Sequence, residues 1–283
     1  MERIAIADLA EGVDCQIAGK IIRTYEARGS FFLVLLDDSG KVCVRSNCPM
    51  NVGSLVTAKG KAERREEALE FVASSVEPMT EAQSEFSKAV GAFIETRTRP
   101  VESQMLIQDG VMKSLYHLIL DCASRLLRAR FLERPIVLRY HADADGISGA
   151  MCIARAVGIC GLFATQNPHT VYEVQDAIRD LNAVRSTGES TLGPVLVLVD
   201  SGSGEDSADA VSLLKGAGLE IIIIDHHPLG GAVSETADCI VSPMLVGATS
   251  YYTAGLLAGE VARAVGGPDP ESLQRISLAG DKS

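Results

Sequence analysis

Residues 135–146 read PIVLRYHADADG: a short apolar run that opens into His141, Asp143, Asp145 and Gly146. Two further runs share that form. PVLVLV over residues 194–199 ends at Asp200, and LEIIII over 219–224 ends at Asp225-His226-His227. Short, continuous, β-branched runs are strands buried on both faces, as in a parallel sheet covered by helices. In such sheets the ligand sits beyond the carboxyl ends of the strands. Three strands therefore deliver Asp143, Asp145, Asp200, His226 and His141 to one crevice. Carboxylates brought that close repel one another, and a divalent cation relieves the repulsion. Mixed Asp and His ligation suits Mn, Mg or Zn. The chain has five histidines, and three lie in these stretches, which favours a metal site over strand ends of no special purpose.

Helix candidates follow the strands at 147–157, 171–185, 205–217 and 250–265, with a further strand at 237–241 and a last helix at 270–278. This alternation is the doubly wound α/β pattern. An EF-hand reading of Asp143-Ala144-Asp145-Gly146 fails. His141 would take the place of the first aspartate, and Cys152 that of the bidentate glutamate. Gly202-Ser203-Gly204 lacks the full dinucleotide fingerprint and fits a tight reversal beside Asp200. Gly247 to Ser250 is expected to open a helix, so Ser250 is either an anion-binding residue or an ordinary N-cap.

Upstream, residues 1–79 carry strand candidates at 13–24, 30–37, 41–45, 54–61 and 69–76, parted by turn residues. Five short strands suggest a small all-β Greek-key barrel. The segments VDCQIAGKIIR, FFLVLLDDSGKV and GSLVTAKGKA resemble nucleic-acid-binding OB domains. A single-strand site there would use Arg23, Arg28, Lys41, Arg45, Lys59 or Lys61 for phosphates and the outward ring of the Phe31/Phe32 pair, Phe32, for stacking. The alternative is a ring packed under a loop. Residues 80–134 are expected to be a helical connector with helices at 81–96 and 111–130. His117 is expected to be packed in the core, and Arg125, Arg128 and Arg130 to complement a helix dipole.

The formal net charge is −11 over 283 residues. The acid is concentrated: residues 141–283 hold 7 basic and 18 acidic groups, and bound cations would offset part of that. Glu173, Asp176, Asp180 and Glu189 are expected to be solvated surface. Seven cysteines, an odd number without a C-x-x-C, point to reduced thiols in a cytoplasm. No apolar stretch is long enough to cross a bilayer, so no membrane partner is expected.

The H-x-D-x-D-G opening, the lone Asp200, the Asp225-His226-His227 triplet and the Ala279-Gly280-Asp281 ending resemble, in order, the four motifs of the DHH phosphoesterase superfamily. The resemblance implies two metal ions, Mn2+ or Mg2+. Asp143, helped by His141, would hold one. Asp145, His226 and Asp281 would hold the other, and Asp200 would bridge them. His227 would face the scissile phosphate, and Asp225 would orient the imidazoles. An OB-like domain ahead of such a domain resembles archaeal RecJ-like proteins, which implies hydrolysis of single-stranded DNA or RNA, and GINS-like replication proteins as partners. The alternatives are a small-substrate member acting on oligoribonucleotides or cyclic dinucleotides, and a non-catalytic replication scaffold. Family members continue into a DHH-associated domain; here the sequence stops two residues after Asp281, so a fragment, a lid from a partner, or a weak enzyme with a loosely held second metal is expected.

Overall fold

A computed structural model describes residues 3–65, 68–80, 83–158 and 161–281. The chain divides into two compact units.

The first unit is a closed five-stranded barrel. Its strands are β1 (Asp14–Ala27), β2 (Ser30–Leu36), β3 (Lys41–Ser46), β4 (Leu55–Arg65) and β5 (Ala68–Pro78). The order is β2-β3-β5-β4-β1, and β1 pairs back onto β2 to close it. Only β3 and β5 run parallel. Alternate side chains fill the interior, among them Ile17, Ile21, Leu33, Leu35, Val44, Val56, Ala58 and Phe71. The ladder between β4 and β5 shifts register at Lys59/Gly60. A Cβ on Gly60 would lie 2.0 Å from the Val72 carbonyl oxygen, so only glycine admits the close strand approach there. Helix α1 (Gln83–Arg97) lays Phe86, Val90 and Ile94, spaced four apart, against Ala18, Ile22, Val34 and Leu36 on the barrel's outer side.

The second unit is a parallel sheet between two layers of helices. It begins with α2 (Gly110–Phe131). Then follow β6 (Ile136–His141), α3 (Ala144–Val157), β7 (Leu162–Asn167) and α4 (Val174–Arg185). After α4 the chain enters β8 (Ser190–Thr191), which belongs to the first unit and pairs with β1 at Arg23 and Thr24. It continues through β9 (Val195–Val199), α5 (Ala208–Gly216), β10 (Glu220–Ile224), α6 (Gly231–Thr236), β11 (Cys239–Val241), α7 (Ala254–Ala264) and α8 (Glu271–Gly280). The order β11-β10-β9-β6-β7 is parallel throughout. Period two explains the burial on both faces. Val195, Val197 and Val199 enter the core shared with α2, α3 and α7, while Leu196 and Leu198 enter the opposite core, with Ala210 and Val211 of α5.

Several expectations need correction. The span 80–134 is not one connecting body: residues up to Arg97 pack with the barrel, and Thr98–Arg130 pack with the sheet. The expected helix at 250 begins at Ala254, with Thr253 as its N-cap. His117 is exposed. Asp180 is not solvated: it is buried and takes a bidentate pair of 2.8 Å hydrogen bonds from Arg139, with Tyr172 Oη also donating at 2.8 Å. Asp176 lies 3.5 Å from the same guanidinium, whereas Glu173 and Glu189 are exposed as expected, Glu189 also pairing with Arg23. Strand β7 had no apolar signature because Ala164, Thr165 and Gln166 on this edge strand face solvent.

Candidate metal centre

Three of the acidic motifs follow the carboxyl ends of β6, β9 and β10, and the fourth, at Asp281, ends α8. Strand β6 ends at His141, and Asp143 caps α3 by accepting from Gly146 N at 2.9 Å. A Cβ on Gly146 would be 2.3 Å from the His141 carbonyl oxygen. The glycine therefore lets the strand turn directly into the helix. His141 Nδ1 lies 2.9 Å from Asp143 Oδ2 and 3.2 Å from Asp200 Oδ2.

Asp200 follows β9 and is 1% exposed. Its φ is 55°, one of three positive values at non-glycine residues among those described. Such a conformation is uncommon and is held by its surroundings. Its Oδ1 is buried without a hydrogen-bond partner, although His226 Nε2 lies 3.3 Å away and His227 Nδ1 3.5 Å away. Burial raises the Asp200 carboxyl to about 6. Asp145, Asp225 and Asp143 push the same way, and His226 opposes them.

The Asp225-His226-His227 triplet follows β10. Asp225 is fully buried. Its Oδ1 accepts from His227 N at 3.1 Å and lies 2.8 Å from His227 Nδ1, while Oδ2 accepts from Ser203 N at 3.3 Å. Burial alone would raise this carboxyl, but the hydrogen bonds from His227 and Ser203 and the charge of His227 outweigh it and hold it below the ordinary range. The same bond raises His227. His226 Nδ1 lies 2.6 Å from the Ser250 carbonyl oxygen, which can only accept, so Nδ1 carries the proton and Nε2 is turned toward Asp200. Burial works against a charge on His226, but Asp200, the Ser250 carbonyl and Asp145 raise it to about 9. A histidine that ligates a metal through one nitrogen commonly donates its other N–H to a carbonyl in this way.

Two donor groups emerge. His141, Asp143 and Asp200 bring ligand atoms within 4.8 Å of one another, and so do Asp200, His226 and His227. Asp200 belongs to both. Asp145 Oδ2 is 3.5 Å from His226 Nε2, but its oxygens accept from Ala254 N at 2.9 Å, Gly255 N at 2.6 Å and Ser277 Oγ at 2.5 Å. Asp281 Oδ2 is 3.8 Å from His226 Nδ1, and its side chain is 39% exposed. The unpartnered buried oxygen of Asp200, set among mixed oxygen and nitrogen donors, fits a divalent cation.

The site also uses residues that were not anticipated. Ser203 supports Asp225 from the loop after β9, and Thr253 and Ser277 meet each other beside Asp145. Small residues in loops and helices carry no sequence signal for such contacts. Ser250 is exposed, and its carbonyl, not its hydroxyl, serves the site.

The barrel candidates lie in the other unit, and Arg23, Lys41, Arg45 and Phe32 have partners there. Arg23 pairs with Glu189 at 2.6 Å and Glu133 at 3.3 Å, and lies over the Tyr25 ring. Lys41 pairs with Glu133 at 2.7 Å, and Arg45 with Glu70 at 3.6 Å. Phe32 stacks on Tyr25, with centroids 5.0 Å apart.

Residues 135–274 match the model of the DHH family, N-terminal domain. An uncharacterized protein of Methanocaldococcus jannaschii is 27% identical over an alignment of 302 residues, which covers 94% of this chain and 39% of that protein. The solved DHH domain of a protein named as a member of a family of ribosomal proteins superposes with a TM-score of 0.63 at 27% identity, covering 71% of this chain and 52% of that one. Exonuclease RecJ bound to manganese is 20% identical over 64% of this chain and 44% of its own, with a TM-score of 0.44. The chain thus spans about two fifths to one half of the first two of these relatives. With its motif residues gathered at the strand ends and the family model running across them, the segment 135–274 is a DHH-family N-terminal domain.

Proposed function

We propose that this chain is a metal-dependent phosphodiesterase acting on single-stranded nucleic acid. The observation that carries the reading is Asp200: one buried carboxylate, in an uncommon backbone conformation, common to two donor groups. His141, Asp143 and Asp200 would hold one divalent cation. Asp200 and His226 would hold a second, with Asp145 and Asp281 flanking it. Mn2+ or Mg2+ bound there would supply Lewis acidity at a phosphate ester and a more acidic attacking water. His227 is the most open of the three motif histidines, with 36% of its side chain exposed. Asp225 holds its Nδ1, so Nε2 is the atom offered to a phosphate oxygen, as proton donor or as charge.

The test is cleavage of end-labelled single-stranded DNA and RNA with Mn2+, Mg2+ or chelator. Metal-dependent release of nucleotides is expected, and no cleavage of either polymer with any metal would refute the reading. A second reading, hydrolysis of a short oligonucleotide, is favoured by the barrel, where Arg23, Lys41 and Arg45 already have carboxylate partners. Equal rates per bond on dinucleotides and long strands would favour it.

A further inference from the structure

Residues 247–253, between β11 and α7, form a loop anchored at Ser250, Tyr252 and Thr253. The Ser250 carbonyl accepts from His226 Nδ1 at 2.6 Å. Tyr252 Oη donates to Asp109 Oδ2 at 2.6 Å. Thr253 caps α7 by accepting from Leu256 N at 3.2 Å, and Asp145 accepts from the next two backbone amides. Between these fixed points stands Tyr251, which is 70% exposed. It is the most exposed large apolar side chain among the described residues, and the only aromatic one so exposed. No hydrogen bond, ring contact or ion pair involves it among the described residues.

A ring left in water forgoes the stabilisation of burial. Here the backbone on either side is anchored while the ring is not. Its Cα is one peptide, about 3.8 Å, from that of the residue that orients His226. We propose that Tyr251 is a stacking platform for the nucleobase next to the phosphate engaged at Asp200 and His227; this rests on the phosphodiesterase reading above. Every base has a π-face, so such a platform grips DNA or RNA without selecting sequence. It would also supply what the acidic crevice cannot, an attraction that does not depend on charge.

Binding is measured by calorimetry on the full chain with Mn2+. The ligands are dinucleotides whose ester oxygen is replaced by methylene so that they cannot be hydrolysed, in ribose and deoxyribose forms, each with its bases or abasic. Tyr251→Ala should weaken the base-bearing ligands by about tenfold and leave the abasic ones unchanged, and Tyr251→Phe should bind like the unmodified chain. The two sugars should respond alike. The proposal is overturned by an equal fall on base-bearing and abasic ligands, by no fall at all, by an effect confined to ribose, or by failure of the base-bearing ligand to bind the unmodified chain. Cleavage of the ester-linked counterparts is scored separately. Base-dependent binding without cleavage would strike the hydrolytic reading and leave the stacking standing.

Discussion

Asp200 is held charged among Asp143, Asp145 and Asp225 in a buried place, and this sets a sign that can be measured. Its carboxyl is raised to about 6, above the unfolded value. The penalty on the folded state is therefore present above pH 6 and absent below the unfolded pKa near 4. Asp200→Asn keeps the size and tolerates the left-handed backbone. In the metal-free protein at pH 7.5 it should raise stability by roughly 3 kcal/mol, and the gain should vanish as pH falls through 6 toward 4. With metal the sign reverses: calorimetry should show both cation sites weakened, because one carboxylate serves both. Unchanged binding at either site would remove Asp200 from the shared position. The neighbouring imidazoles should separate by role. His226→Asn should weaken Mn2+ binding by tenfold or more. His227→Asn should leave binding within a few-fold and lower kcat by about 100-fold or more. Equal losses of metal affinity would make His227 a ligand and not a donor to the substrate.

The elements that carry these residues are tied together by buried charge. Asp145 lies in the first turn of α3 yet takes the first amides of α7 and the Ser277 hydroxyl of α8. It therefore acts as an external cap on α7, satisfying N–H groups that a helix cannot satisfy itself. Asp145→Ala should destabilise the metal-free protein by about 2 kcal/mol in denaturant melts. A loss under about 0.5 kcal/mol, the low end for a cap, would mean that this one is dispensable. On the other face of β6, Arg139 is buried against Asp180 of α4. Arg139→Leu leaves that carboxylate and Tyr172 without their cation and should cost about 3–5 kcal/mol. The double change with Asp180→Leu should recover much of it. The strand ends were legible from β-branched runs that stop at Asp or His. Arg139 and Asp180 were not, because an arginine in a strand and an aspartate in an amphipathic helix look alike whether they face water or each other.

At the scale of the whole chain the question is charge. The net −11 opposes a polyanion, and Arg23, Lys41 and Arg45 of the barrel do little to offset it while Glu133, Glu189 and Glu70 pair with them. Glu133→Gln removes the carboxylate shared by Arg23 and Lys41. Affinity for single-stranded DNA should rise, and the salt dependence should steepen by about one phosphate contact, a change near 0.7 in the logarithmic slope. No change would mean that the barrel does not meet the strand. Arg23 and Lys41 could be recognised as cations from the sequence. Their neutralisation could not, since Glu133 and Glu189 lie 92 or more positions away along the chain.

By itself the sequence determined the five-strand barrel, the parallel sheet and the arrival of the motif residues at one sheet edge. These follow from local alternation, turn residues and the rule that parallel strands end on the same side. Only the tertiary structure decided the partition of roles within the motifs. Asp145 was drawn to the amides of α7, His226 was fixed by a loop carbonyl from 24 residues on, Asp200 was left with an open oxygen, and Tyr251 was left in water. Each outcome depends on which backbone group lies within about 3 Å of a side chain. That distance is set by how helices and loops pack against the sheet, and residue type and spacing carry no record of it.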